Sequence, residues 1–288
     1  MNLMASAHAS TLLVIAVTVL VPVGVARGSE GSPSGEAKVS LTDAVRKEVQ
    51  DKGRFFTVPF EIDTDGDADD GGATVLRILP VFAVRLNPDW NLLNMSIITV
   101  ADAPGGRPGS PGNPEPVPGP AVFGLGDLSH AVLLGPSRQG TFHWGAGFML
   151  RIPTATDPRL GSGKWSAGPA LRLVYSGENW SLAALLANTW SFAGDEDRGD
   201  INQLMLRFFY EWEFSEDWLL VSSPILTANW NTENPERWLI PVGGGIARDL
   251  RWGSAPFRLS AQIYSNVIKP DGAPAVSYTH LRAHETND

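Results

Sequence analysis

Arg207, Glu211 and Glu213 stand at alternate positions of the run INQLMLRFFYEWEF (201–214). Leu204, Leu206, Phe208, Tyr210, Trp212 and Phe214 fill the positions of opposite parity. A strand turns successive side chains to opposite faces, so this stretch has one oily face and one that carries charge. Guanidinium and carboxylate groups on a strand face can do two things. They can brace one another as ion pairs, or they can line a wet passage and sort solutes by charge.

The same polar parity recurs along the chain. It picks out Arg77 and Arg85, His143 and Arg151, Arg172, and Arg258, Gln262, Tyr264 and Asn266. A buried arginine without a partner is costly, so these groups must meet acids or water. One reading is an Arg/Glu network that braces a wall. The other is an electropositive constriction favouring anionic or carboxylated solutes.

Other chemistry is weakly supported. His130 and His143 are the upstream histidines in strand-like segments, and neither has a serine and acid partner by pattern, so no catalytic residue is assigned. DTDGDADDGG (63–72) invites a calcium reading, but an EF-hand needs glycine sixth and glutamate twelfth. Counted from Asp65, those places hold Asp70 and Leu76. GLGDL (124–128) is too short for a dinucleotide fingerprint, and GSGKW (161–165) lacks the spacing of a phosphate loop. With no cysteine there is no disulfide and no thiolate metal site. Neither a cofactor nor a metal is expected.

The elements that position the charged face are strands. From Phe55 on, alternating segments are punctuated by Gly, Pro, Asn and Asp. They are 55–62, 74–86, 90–102, 121–135, 141–154, 165–176, 179–193, 200–214, 217–230, 237–250 and 255–268. Most exceed the roughly five or six residues usual in soluble sheets and suit the ten or so tilted residues that cross an outer membrane. Long and short connections alternate, as they do where periplasmic turns stay tight and outer loops lengthen. A soluble sandwich has no reason to sort loops by parity.

Tryptophan spacing is an independent sign. Trp180 and Trp190 share the oily parity of one strand, and Trp218 and Trp230 repeat the pattern on the strand 217–230. Ten tilted residues span about 25 Å, the height of a barrel's apolar band, so each pair marks the two interfaces. Trp212 and Trp238 join them as interface aromatics. Asn188 on the same oily parity is an exception.

Bulk composition agrees. Charged residues are only 18% of the 288, while there are ten tryptophans, a pairing suited to lipid headgroups. A net charge of −9 argues against nucleic acid as a partner. TLLVIAVTVLVPVGVA (11–26) reads as an export signal over 1–26, although MNLMASAHAS lacks the usual Lys or Arg. Residues 27–54 form a periplasmic lead-in with a short helix over 40–54, where Ser40 and Asp43 can make a capping box. No later segment is long and apolar enough for a helical span.

Four runs carry a family likeness: HWGAGFMLRIPTATDPRLGSGKWSAGP (143–169), LLANTWSFAGDEDRGDINQLMLRFFYEW (185–212), SPILTANW (223–230) and WLIPVGGGIAR (238–248). They resemble the outer-membrane β-barrel family linked to the meta-cleavage pathway of phenol degradation. Its members are usually called transporters, and some are mislabelled neuromedin U. The resemblance covers roughly 55–274 and implies an exported barrel that passes small solutes, aromatic ones among them. It brings no binding residues with it. The tail departs from the family: AVSYTHLRAHETND (275–288) has little alternation, and SYTHLRAHET resembles translated adaptor sequence. Eleven strands are odd where bacterial barrels are even, so one strand is expected to be replaced or lost, with 275–283 filling the gap.

The expectation is therefore an antiparallel transmembrane β-barrel over 55–274, natively of about twelve strands, in a bacterial outer membrane. Its partners are the lipid bilayer, a small-molecule solute and the barrel-assembly machinery. Its function is small-solute passage, with aromatic or anionic solutes in view. A structural barrel with a closed lumen, a barrel enzyme and, more distantly, a soluble barrel with an inner cavity are the alternatives.

Overall fold

Wherever apolar and polar residues alternate, the chain extends, and successive strands fold back beside one another. The computed structural model describes residues 16–18, 54–64, 73–104, 121–137, 140–234, 236–252, 255–270, 276–278 and 281–282. Its wall strands are β1 (Arg54–Thr57 and Phe60–Thr64), β2 (Thr74–Ile78 and Val81–Arg85), β3 (Trp90–Pro104) and β4 (Ala121–Leu125 and Leu128–Pro136). Next come β5 (Phe142–Ile152), β6 (Lys164–Ser176), β7 (Trp180–Gly194) and β8 (Asn202–Ser215). β9 (Trp218–Ser222 and Ile225–Asn229), β10 (Trp238–Trp252) and β11 (Ala255–Ile268) complete the series. Each pairs antiparallel with its successor.

Val276–Tyr278 pairs antiparallel with Ile263–Ser265 in the place of a twelfth strand, and Ala16–Thr18 pairs with Arg258–Ser260. Both segments lie against Phe60–Thr64, so the wall returns on itself as an antiparallel transmembrane β-barrel. The pairing of Ala16–Thr18 has no counterpart in the sequence reading, which assigns those residues to the export segment. The lead-in helix lies outside the described residues except for Arg54, which is in a strand. Most of the acidic segment 63–72 lies outside them as well.

The connections alternate as expected. The segments 65–73, 105–120, 153–163, 195–201 and 230–237 join strands at one end of the barrel. The shorter 86–89, 137–141, 177–179, 216–217 and 253–254 join them at the other. One short turn shows how its sequence closes it: Asn87 Oδ1 accepts from the backbone N–H groups of Asp89 and Trp90, both at 2.9 Å.

Burial follows the parity of the residues. On β11, Arg258, Ser260, Gln262, Tyr264 and Asn266 are buried while Ile263 and Val267 are exposed. On β7, Leu185 and Ala187 face in and Trp180, Leu182, Leu186, Trp190 and Phe192 face out. A continuous outer belt of exposed Leu, Ile, Phe and Trp far exceeds what a water-soluble monomer shows, and it is what hydrocarbon requires.

The aromatic residues sort by height. Trp180 sits opposite Trp212 in register and stacks on Tyr175 with ring centroids 4.9 Å apart. With Trp218, Trp90 and Trp144 they form the girdle at the short-turn end. Trp190, Trp230 and Trp238 stand at the long-loop end, where the last two meet edge to face at 5.6 Å. Asn188 finds partners in this upper girdle. Its Oδ1 accepts from Trp230 Nε1 at 2.8 Å, and its Nδ2 donates to Asn202 Oδ1 at 3.2 Å. A lipid-facing amide is tolerated because the neighbouring interface groups satisfy it.

The glycines of PVGGG serve close strand approach. A Cβ on Gly245 would lie 1.8 Å from the Ala261 carbonyl oxygen across the β10–β11 ladder. Pro59 and Pro80 interrupt β1 and β2. The carbonyls there are kept in use, since Leu79 N donates to Pro59 O at 2.8 Å and Ser96 N to Pro80 O at 2.9 Å.

Candidate permeation path

Strands β1 and β8 are not neighbours in the wall, yet their inner side chains meet. Arg207 Nη2 donates to Glu61 Oε1, and each residue is only 2% exposed. The Arg207 guanidinium also lies over the Phe209 ring, 4.7 Å from its centroid. Alternation puts Arg207 and Phe209 on the inner face of β8 and Glu61 on that of β1, and the ring closure sets those faces opposite each other. The pair therefore crosses the lumen.

A second network holds the β8–β11 side. Arg258 Nη1 approaches Glu211 Oε2 at 2.8 Å, while its Nε and Nη2 donate to Asp249 at 2.5 and 2.9 Å. The fork geometry of arginine is matched to a carboxylate, and here two acids share one cation. Towards the long-loop end from it, Tyr264 Oη donates to Gln262 Oε1 at 2.7 Å and accepts from Ser223 N at 2.5 Å. Arg77 pairs with Asp63 between β2 and β1. Arg151 Nη1 donates to Gln203 Oε1 at 2.8 Å.

The opposite part of the lumen is apolar. Leu93, Met95, Ala131, Leu133, Met149, Ala170, Leu185, Ala187 and Met205 pack together from the inner faces of β3 to β8. Beside the arginine-rich inner face expected from the sequence, this part of the lumen is therefore apolar. On these strands the inward parity carries Ala, Leu and Met more often than charge, and such residues cannot be told from lipid-facing ones by type.

The crossing pair and Phe209 stand between two cavities. One, with about 560 Å³ of space free of protein atoms and partly open, is lined by apolar groups including Leu79, Val81, Met95, Ile97, Met149 and Leu185. The other, about 330 Å³, is lined by Glu211, Arg258, Gln262, Ser222, Ser223 and Ser260. Glu61 and Phe209 belong to both.

Of the other sequence candidates, Arg172 is half-buried on the inner face of β6, in register with Gly145 and Leu185. It makes no ion pair among the described residues. His143 faces inward near the short-turn end of β5. Arg85 and Glu213 are corrected: they share the inward parity but stand exposed at the ends of β2 and β8, outside the buried networks. β2 ends at Arg85 and β8 ends at Ser215, just beyond Glu213, so both side chains stand at the short-turn rim. The interface tryptophans Trp180, Trp190, Trp212, Trp218 and Trp230 are exposed on the outer face, and Trp238 is half-buried against Trp230.

Sequence reasoning missed the acids that balance the arginines. Glu61, Asp63 and Asp249 lie on the inward parity of their strands, a signal that the arginine list left unused. It also missed a serine–histidine contact. Ser96 Oγ lies 2.8 Å from His130 Nδ1, on the lipid-facing parity of β3 and β4. Among the described residues no acid meets the other ring nitrogen, so nothing orients the imidazole as a base.

At the long-loop end, residues 153–163 fold inward instead of standing away from the barrel. Leu160, 2% exposed, packs on Val75, Ala101 and Val122, which are inner-face residues of β2, β3 and β4. Thr156 N donates to Leu125 O at 3.0 Å, and Thr156 Oγ1 accepts from Leu125 N at 2.9 Å. Within this segment the Arg159 side chain and backbone N–H both donate to Asp157, holding its carboxyl down at about 2.

The family described as "Putative MetA-pathway of phenol degradation" matches residues 63–223. No functionally curated protein matches the chain. Among solved structures, it is similar to an outer membrane channel from Pseudomonas putida, with 13% identity and a TM-score of 0.49 over 79% of this chain and 94% of that one. It is also similar to the toluene transporter TbuX of Ralstonia pickettii, with 10% identity and a TM-score of 0.32 over 81% and 90% of the two chains.

Proposed function

The chain belongs to this phenol-degradation family, and from that premise we propose that it is a bacterial outer-membrane channel for small, uncharged solutes with an apolar body. The observation that carries the proposal is the division of the lumen. A charged pair closes the centre, and on one side of it lies a mostly apolar, partly open cavity lined by Leu79, Val81, Met95, Met149 and Leu185, against which the apolar body of a small solute would pack. Methionine and phenylalanine side chains there adapt to flat or irregular apolar shapes.

Charge bookkeeping favours an uncharged solute over an anion. Arg207, Arg77 and Arg258 each meet a carboxylate, so they offer little net positive field to a passing anion. An aromatic ring is a natural occupant, as the family's description suggests. Passage requires the Glu61–Arg207 pair or Phe209 to move aside, since both line the boundary between the cavities.

One observation favours a second reading. Arg172 makes no ion pair among the described residues, and it would draw a carboxylated solute towards the β6 wall. The two readings separate in one assay. Vesicles whose outer leaflet is lipopolysaccharide, carrying the protein, are offered an uncharged single-ring solute and the same ring bearing a carboxylate. Faster protein-dependent entry of the uncharged form supports the proposal. Faster entry of the carboxylate, abolished by Arg172→Gln, supports the second reading, and no protein-dependent entry of either removes transport.

A further inference from the structure

The residues at the long-loop mouth point to a device separate from the central pair. The segment 153–163 reaches from β5 across the inner faces of β4, β3 and β2, ending with Leu160 seated among Val75, Ala101 and Val122. It therefore lies inside the long-loop mouth, against these three strands.

Two charged side chains hold it there. Asp127, at the break within β4, accepts from Ser162 N and Ser162 Oγ, both at 2.7 Å, and from Ala155 N at 3.4 Å. Arg198 comes from the neighbouring connection 195–201. It donates through Nη2 to Pro158 O and Gly161 O, each at 2.5 Å, and through Nε to Ser162 O at 3.4 Å. One arginine thus gathers three carbonyls of the covering segment, and one carboxylate gathers three of its donors. The space at Gly161 is tight, since a Cβ there would lie 2.3 Å from the Ala155 Cβ and 2.4 Å from Asp127 Oδ1.

Near its start the cover is hinged to β4, where Thr156 bonds to Leu125, and Thr154 Oγ1 accepts from Leu128 N at 3.0 Å and donates to Gly126 O at 3.2 Å. Its apolar anchorage is Leu160 with a contribution from Ala155, and its return to the wall runs through Gly163 at φ +69, a conformation glycine adopts freely. Segments with little apolar burial, held by a few polar contacts, are those that open locally. We propose that residues 153–163 are an outer gate, latched shut by Arg198 and Asp127 and sealed by Leu160. This rests on the channel reading above.

The chain has no cysteine, so introduced thiols report cleanly. In intact cells, Leu160→Cys is treated with a membrane-impermeant maleimide, alone and combined with Arg198→Ala. Heat-modifiable gel migration confirms that each barrel is folded. The gate predicts labelling at least ten-fold faster when Arg198 is removed; equal rates would overturn the latch. A Val75→Cys/Leu160→Cys pair, oxidised in a planar bilayer, should suppress current that a reductant restores. Current indifferent to the cross-link would overturn the gate. If no variant conducts, including one lacking both Glu61 and Arg207, the channel fails and the gate with it, whatever the labelling shows.

Discussion

Glu61 and Arg207 are 146 residues apart in the chain and bond to each other across the barrel lumen, each with its side chain 3% exposed. Removing one partner from such a pair leaves an uncompensated buried charge, at a cost of about 3–5 kcal/mol. Replacing both with apolar residues of similar size is often near neutral. Arg207→Met should therefore lower the midpoint of urea unfolding in lipid vesicles markedly, and Glu61→Leu with Arg207→Met should recover most of the loss. An additive double variant would show that the pair is not coupled.

The outer belt predicts a depth-dependent cost of charge. Leu186 lies between the girdles on β7, whereas Trp190 lies in the upper one. Leu186→Arg should cost about 2–4 kcal/mol and Trp190→Arg about 0–1 kcal/mol, read from folding equilibria in lipid vesicles. Equal costs would mean that β7 does not cross hydrocarbon at that depth.

The covering segment should show an acid limit. Asp157 is held down at about 2 by Arg159, below the roughly 3.9 of an unfolded aspartate. A depressed carboxyl stabilises the fold above its unfolded value, and the contribution is lost as pH falls through the folded value. Order within 153–163 should therefore hold from neutral pH to about 4 and weaken towards about 2, tracked by the Asp157 carboxyl resonance. Titration near 4 instead would show that the Arg159 contact is absent in solution.

Much of the barrel was legible because its causes are local. Alternation over 200–214, loop lengths sorted by parity and the ten-residue spacing of Trp180 and Trp190 are set by strand geometry and bilayer thickness. What was hidden depends on contacts between distant residues. That Glu61 would neutralise Arg207 follows only once the ring is closed. That Leu160 turns inward cannot be read from a loop rich in Thr, Gly and Pro. The apolar half of the lumen was masked for another reason: Ala131, Met149 and Leu185 stand on the inward parity but are of the same types as residues that face lipid. Asn188 was the reverse case, a polar exception whose partner, Trp230, stands 42 residues away.

Single-channel current through planar bilayers is the most direct measurement, comparing the chain with a variant carrying Glu61→Ala and Arg207→Ala. If this pair closes the lumen, the unaltered protein passes small, infrequent steps and the variant passes larger and more persistent ones. Identical currents from both, or large steady steps from the unaltered protein, would contradict a centre closed by these two side chains.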